Sequence, residues 1–316
     1  MSDYRIHPDM DELIAAKMAK PQGSDTLVQR QGHVRYGATM GRPRPDTMVV
    51  NDRYLSCPGT GKDGEIPVRV YRPASAIKHG PCIFYFHGGG FIIGDLDSGD
   101  SVAWGIAEQI GVVVVSVDYR LAPEHPYPAG PEDCYAAVSY VAEHPNEFDI
   151  DPQRIAIWGD SAGGNLTVAV CMMARDRGGP HIVAQAPVYP TLHDRPSYPS
   201  HTTYADSIGL TAHAMKESWN AYVGADRDED VSIYAAPLRA TDFSRLPPAH
   251  VHIAEIDPLA DDGRQYVRCL LEAGVDAELH VARGMIHGFV RARFCGDDAA
   301  AEFESICRSL RFHLSI

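Results

Sequence analysis

Arg154-Ile-Ala-Ile-Trp-Gly-Asp-Ser-Ala-Gly-Gly-Asn165 passes from an apolar run through a glycine-flanked turn into the start of a helix. The Ile/Ala/Ile/Trp run has the character of a strand buried on both faces. Gly159 and Gly163 relieve crowding where the turn is tightest, and Ser161 stands between them. This strand–turn–helix setting is what a nucleophile elbow requires, and the helix N-terminus behind the serine favours developing negative charge. The competing reading is a glycine-rich β–α turn with an N-capping serine. The surrounding sequence decides between them.

Upstream, His87-Gly-Gly-Gly90 closes the apolar run Pro81–Phe86. Three glycines directly after a strand let backbone N–H groups face a reacting centre without obstruction, which suits an oxyanion. The Ala162 N–H, next after the serine, is expected to be joined by Gly89, with Gly88 or Gly90 as the third donor. A phosphate-cradling loop is the other use of such glycines. No Gly-Lys-Ser/Thr follows and no dinucleotide-type glycine spacing occurs, so phosphate binding is set aside.

A serine hydroxyl is a poor nucleophile near neutral pH and needs a base, which needs an orienting carboxylate. Of the 15 histidines, His252 and His280 fall inside strand patterns and His201 and His213 inside an irregular stretch. His287 stands in the glycine-flanked segment Gly284-Met-Ile-His-Gly288, read as a loop after the last strand, where an open α/β sheet places its site. Asp257 directly follows the run His250–Ala254 and precedes Pro258, which biases it away from helix. Asp261 and Asp262 read as acidic first-turn residues of the next helix. The order Ser161, Asp257, His287 is the nucleophile–acid–base order of α/β-hydrolases.

From about residue 81 strands alternate with helical patterns, implying a mainly parallel sheet covered on both faces. Strands are predicted at 81–86, 112–117, 154–158, 182–188, 250–254 and 277–281, preceded by two at 47–55 and 66–71. Helices are predicted at 10–19, 99–109, 132–144, 164–175, 212–223, 259–273 and 298–312. Residues 1–45, Pro/Gly-rich toward their end, and residues 190–240 break the rhythm. They divide the chain into an N-terminal segment (1–45), a core (46–189), an insertion (190–240) and a second core part (241–316). An insertion this long is read as a lid or binding element. Tyr189, Tyr198, Tyr204, Met215, Trp219 and Tyr222 suggest a partly apolar pocket beneath it.

The formal net charge of −14, from 28 Lys+Arg against 42 Asp+Glu, argues against nucleic acid as a partner. No apolar run is long enough to span a membrane, and the opening Met-Ser-Asp-Tyr-Arg-Ile-His-Pro lacks a basic segment followed by an apolar one. Seven scattered cysteines without Cys-x-x-Cys point to reduced, buried thiols rather than a disulfide framework or metal site. A cytoplasmic location and no membrane partner are expected.

These motifs carry a resemblance. His87-Gly-Gly-Gly-Phe91, Asp118-Tyr-Arg-Leu-Ala-Pro-Glu-His-Pro-Tyr-Pro-Ala129, Gly159-Asp-Ser-Ala-Gly-Gly164, Asp257-Pro-Leu259 and His287-Gly-Phe289 occur in the order of the hormone-sensitive-lipase-like family of α/β-hydrolases, the bacterial family IV esterases. Asp160 resembles the Gly-Asp-Ser-Ala-Gly branch. The resemblance implies an α/β-hydrolase fold with a helical cap assembled from an N-terminal part (1–45) and the insertion (190–240), and a serine carboxylesterase that needs no cofactor. It implies small-molecule esters of short to medium acyl chains as substrates, and homodimers through Ala277–Ile316. Within the 118–129 motif, an Arg120/Glu124 pair is expected to brace the loop. An amidase, lactonase or deformylase would use the same triad, and a catalytically silent ligand receptor the same fold.

Overall fold

A computed structural model describes residues 4–21, 23, 25–225 and 230–316; the remaining positions of the expected segments 1–45 and 190–240 lie outside the described residues. Eight strands form one sheet: β1 (Val49–Ser56), β2 (Glu65–Arg72), β3 (Gly80–Phe86), β4 (Val113–Val117), β5 (Ile150–Asp160), β6 (Ala184–Val188), β7 (Ala249–Ile256) and β8 (Ala277–Ile286), in the order β1-β2-β4-β3-β5-β6-β7-β8. β1–β2 and β2–β4 are antiparallel, and every later pairing is parallel. The helices are α1 (Asp11–Met18), α2 (Thr26–Met40), α3 (Leu96–Ile110), α4 (Ala129–Glu143), α5 (Pro145–Phe148), α6 (Ala162–Arg177), α7 (Pro199–Thr203), α8 (Ala212–Val223), α9 (Ala260–Glu272) and α10 (Asp297–His313). This is the mainly parallel, doubly covered sheet expected from the alternation of strand and helix, and the α/β-hydrolase architecture that the motif resemblance implies.

The period of two along each strand divides the core. On one face Cys82, Phe84 and Phe86 of β3 and Ile155 and Ile157 of β5 pack with residues of α4, α6 and α9. On the other, Ile83, Tyr85, Ala156 and Trp158 pack with α3 and α10. Both faces are covered, so the central strands read as continuous apolar runs.

Two elements and one side-chain pair depart from the sequence-based expectation. α2 falls where a Pro/Gly-rich connection was expected; its buried face is Gly32, His33, Tyr36, Gly37 and Met40, so no apolar stripe of helical period marks it. β8 continues to Ile286, with a register irregularity opposite Ala254–Ile256, where the loop 284–288 was expected. The bulge is held by Glu255, whose carboxylate accepts from the Gly284 N–H at 2.7 Å. The pair expected between Arg120 and Glu124 does not form. Arg120 instead makes a two-pronged contact with the buried Asp133 (2.7 and 2.8 Å), a tighter match for a planar fork than a flexible surface glutamate. Glu124 turns to Arg30 of α2 at 2.7 and 2.9 Å.

Candidate active site

β5 ends at Asp160 and α6 begins at Ala162, leaving Ser161 alone at the turn with φ 57° and ψ −116°. A non-glycine residue with that φ is strained, and the surroundings hold it. The Ser161 N–H donates to Val188 O at the end of β6 (2.9 Å). The turn is closed by bare backbone: a Cβ at Gly163 would lie 1.9 Å from Phe86 O, so only glycine lets α6 approach β3.

β7 ends one residue before Asp257, and its parallel neighbour β8 ends one residue before His287, so both loops open on the same sheet edge as Ser161. The His287 Nδ1–H donates to Asp257 Oδ2 at 2.6 Å, and Nε2 faces Ser161 Oγ at 2.9 Å. A carboxylate only accepts, so the proton sits on Nδ1 and Nε2 is left to accept from the serine hydroxyl. Asp257 is completely buried and its Oδ1 takes the Leu259 N–H at 2.9 Å. Tyr189 lies against the imidazole, ring centroids 4.6 Å apart. The three residues singled out from separate parts of the sequence are thus brought into one hydrogen-bonded chain.

Of the three glycines, Gly88 is already engaged: its N–H donates to Asp160 Oδ1 at 3.1 Å. The same oxygen receives the Tyr85 hydroxyl at 2.7 Å. The Gly88 donor expected from sequence is therefore spent on a side chain rather than turned to the cavity. The N–H groups of Gly89, Gly90 and Ala162 have no acceptor among the described residues. Gly89 has φ +142°, open to glycine alone, and a Cβ there would collide with Ile93 O. His87 is structural. It is fully buried, stacks on Tyr119 at 4.4 Å, and burial holds its pKa below the ordinary histidine value. The Tyr119 hydroxyl donates to His87 O at 2.6 Å, so the 118–129 motif buttresses the glycine run from below.

Ser161, His287 and Gly88–Gly90 open into a cavity of about 850 Å³. Tyr189, Met215 and Trp219 line it as the sequence suggested; Tyr198 packs on His193 and His201, Tyr204 on Tyr4, and Tyr222 on Phe91. The sequence reading expected residues 1–45 in the cap but named no pocket residue there; Lys17 of α1, Lys20 just after it, and His33 and Tyr36 of α2 line a further wall together with Arg291. No motif marks these residues; the fold of the first forty residues onto the strand ends brings the first four to Arg291.

The family model described as "alpha/beta hydrolase fold" matches residues 83–291. Esterase LipI of Mycobacterium tuberculosis is 44% identical over 233 residues, covering 73% of this chain and 72% of its own length. Carboxylesterase NlhH of the same organism is 46% identical over 235 residues, covering 73% of each. A solved structure described as a bacterial heroin esterase superposes with a TM-score of 0.89 at 34% identity, covering 98% of both chains. The fold, the order of its motifs and these likenesses agree: the chain belongs to the α/β-hydrolase family, in its hormone-sensitive-lipase-like branch.

Proposed function

We propose that the chain hydrolyses carboxylic esters through an acyl-enzyme on Ser161. His287 Nε2 takes the hydroxyl proton as Oγ attacks the ester carbonyl; Asp257 fixes the tautomer and stabilises the imidazolium. The N–H groups of Gly89, Gly90 and Ala162 receive the tetrahedral oxyanion at the positive end of α6. The imidazolium then protonates the departing alcohol, and a water activated by the same histidine releases the acid. The observation that carries this reading is the unbroken chain Ser161–His287–Asp257, at 2.9 and 2.6 Å. A broken triad, the mark of a silent receptor, is not what the sequence holds.

α1, α2 and the segment 190–240 act as the cap over this site, and the cavity takes short to medium acyl chains. Seven free cysteines support a reducing, cytoplasmic location, and among the described residues no helix is long and apolar enough to cross a membrane. Two copies pair through Ala277–Ile316, where β8 ends the sheet and Phe312 on α10 stands 78% exposed. The test is Ser161→Ala on p-nitrophenyl esters from acetyl to palmitoyl. Wild-type activity should peak at short or medium chains, and kcat in the variant should fall by about 10⁴-fold or more, to the residue left by binding and the oxyanion site. Retention of more than about a tenth of kcat overturns the assignment of Ser161.

A further inference from the structure

One wall of the cavity is rich in donors and poor in acceptors. Arg291 is 6% exposed; its Nη1 donates to Ser98 O, and its Nη2 is buried without a partner. The Tyr36 hydroxyl and His33 Nε2 are likewise buried and unpartnered, on residues 4% and 6% exposed. Lys20 Nζ lies 3.1 Å from His33 Nδ1. An ammonium only donates, so Nδ1 is the acceptor and the unpartnered Nε2 carries the proton. Lys17 Nζ donates to Gly209 O at 2.9 Å. Among the described residues, no carboxylate lies within ion-pair distance of Lys17 or Arg291. Asp160, lining the same cavity, already takes Tyr85 and Gly88 on its Oδ1.

This wall adjoins the reacting centre. A methyl group at Gly288, the residue after His287, would stand 3.3 Å from Lys17 Nζ and 3.6 Å from Tyr36 Oη. One at Gly209 would stand 2.8 Å from the His287 N. Several buried donors with no acceptor are costly in the empty fold, and a bound acceptor-only group recovers that cost. Arg291, Lys17 and Lys20 are basic side chains gathered in a chain of net charge −14, which marks the spot against its surroundings.

Resting on the esterase reading, we propose that the preferred substrates are esters that carry a carboxylate, held by Arg291, Lys17, Tyr36 and His33 beside the triad. A carboxylate offers two oxygens and about four lone-pair sites to such donors, whereas an alkyl terminus would leave Arg291 Nη2, the Tyr36 hydroxyl and His33 Nε2 unpaired. Burial, with the neighbouring cations, pulls Lys17 down to about 7 and Lys20 to about 8, so a bound carboxylate would favour their charged forms.

Two substrate pairs test the proposal on the full chain. Mono-4-nitrophenyl adipate is compared with 4-nitrophenyl hexanoate for the acyl side, and butyryl 4-hydroxyphenylacetate with its methyl ester for the alcohol side, each corrected for spontaneous hydrolysis. The carboxylate member of at least one pair should show kcat/KM higher by about tenfold, the worth of a charge-assisted hydrogen bond. Lys17→Met should reduce that ratio to about twofold or less, and Tyr36→Phe, which removes only the hydroxyl, should lower it severalfold. The ratio within each variant guards against general loss of fold. A ratio of about threefold or less in both pairs, or an advantage unchanged in both variants, overturns the proposal. If no member of either pair is turned over by the wild type, the esterase reading itself fails, and this one with it.

Discussion

Asp160 is placed to act on the proposed reaction through the glycine run. Its carboxylate ties the Gly88 N–H and the Tyr85 hydroxyl together, fixing the start of the glycine run whose next two residues line the cavity with N–H groups that have no acceptor among the described residues. A displacement of about an ångström in such donors costs on the order of 10²-fold in rate. Asp160→Ala should therefore lower kcat by about that factor with little change in KM, while Asp160→Asn, which keeps an acceptor oxygen, should recover most of it. Steady-state kinetics of both variants check this; equal losses in the two would show that the charge rather than the tether matters. The sequence disclosed Ser161, Asp257 and His287 because each sits in a motif at a strand end. It did not disclose that Gly88 is spent on Asp160, since which N–H points inward depends on backbone angles and not on residue type.

At the scale of elements, the segment after β6 is tied to α9 by one buried carboxylate. Asp262 Oδ2 accepts from the Leu192 and His193 N–H groups at 2.8 and 3.1 Å, and Oδ1 faces His201 Nε2 at 2.9 Å. Sequence reading placed Asp262 in the first turn of a helix, as it is, but acidic residues there are ordinarily solvated, and nothing local signals a completely buried one. Each donor left unsatisfied costs about 1–3 kcal/mol, so Asp262→Ala should destabilise the fold by at least about 3 kcal/mol. A fall in the urea midpoint at unchanged slope would report this; a midpoint within error of wild type would remove Asp262 from that role. The long periodic helices were legible because their apolar stripes face the sheet. α2 was not, because it packs on its neighbours through glycine, histidine and tyrosine. The cavity wall it supplies was hidden with it.

For the molecule as a whole, buried histidines set the acid limit. Burial lowers the pKa of His33, His87, His250 and His252, the last to about 4. A histidine lowered in the folded state binds its proton more readily when unfolded. Its contribution to stability is therefore fully present above the unfolded value near 6.5 and is lost as pH falls toward the folded value. Burial pushes Glu302 up, but its hydrogen bond to His252 and the nearby His280 hold it below the ordinary carboxylate value, so it acts in the same direction at lower pH. The stability should fall between about pH 6.5 and 4, with roughly 2 kcal/mol lost by pH 5 from His252 alone. Thermal unfolding across that range should show a midpoint dropping steadily with acidification; a midpoint flat from pH 7 to 5 would contradict it.

All of this turns on one covalent bond. Intact-mass and peptide mapping after reaction with a fluorophosphonate should find one adduct per chain, on the peptide that holds Ser161, appearing in step with loss of ester hydrolysis and absent from Ser161→Ala. An adduct on another residue, or hydrolysis that persists after Ser161 is fully modified, would contradict the assignment.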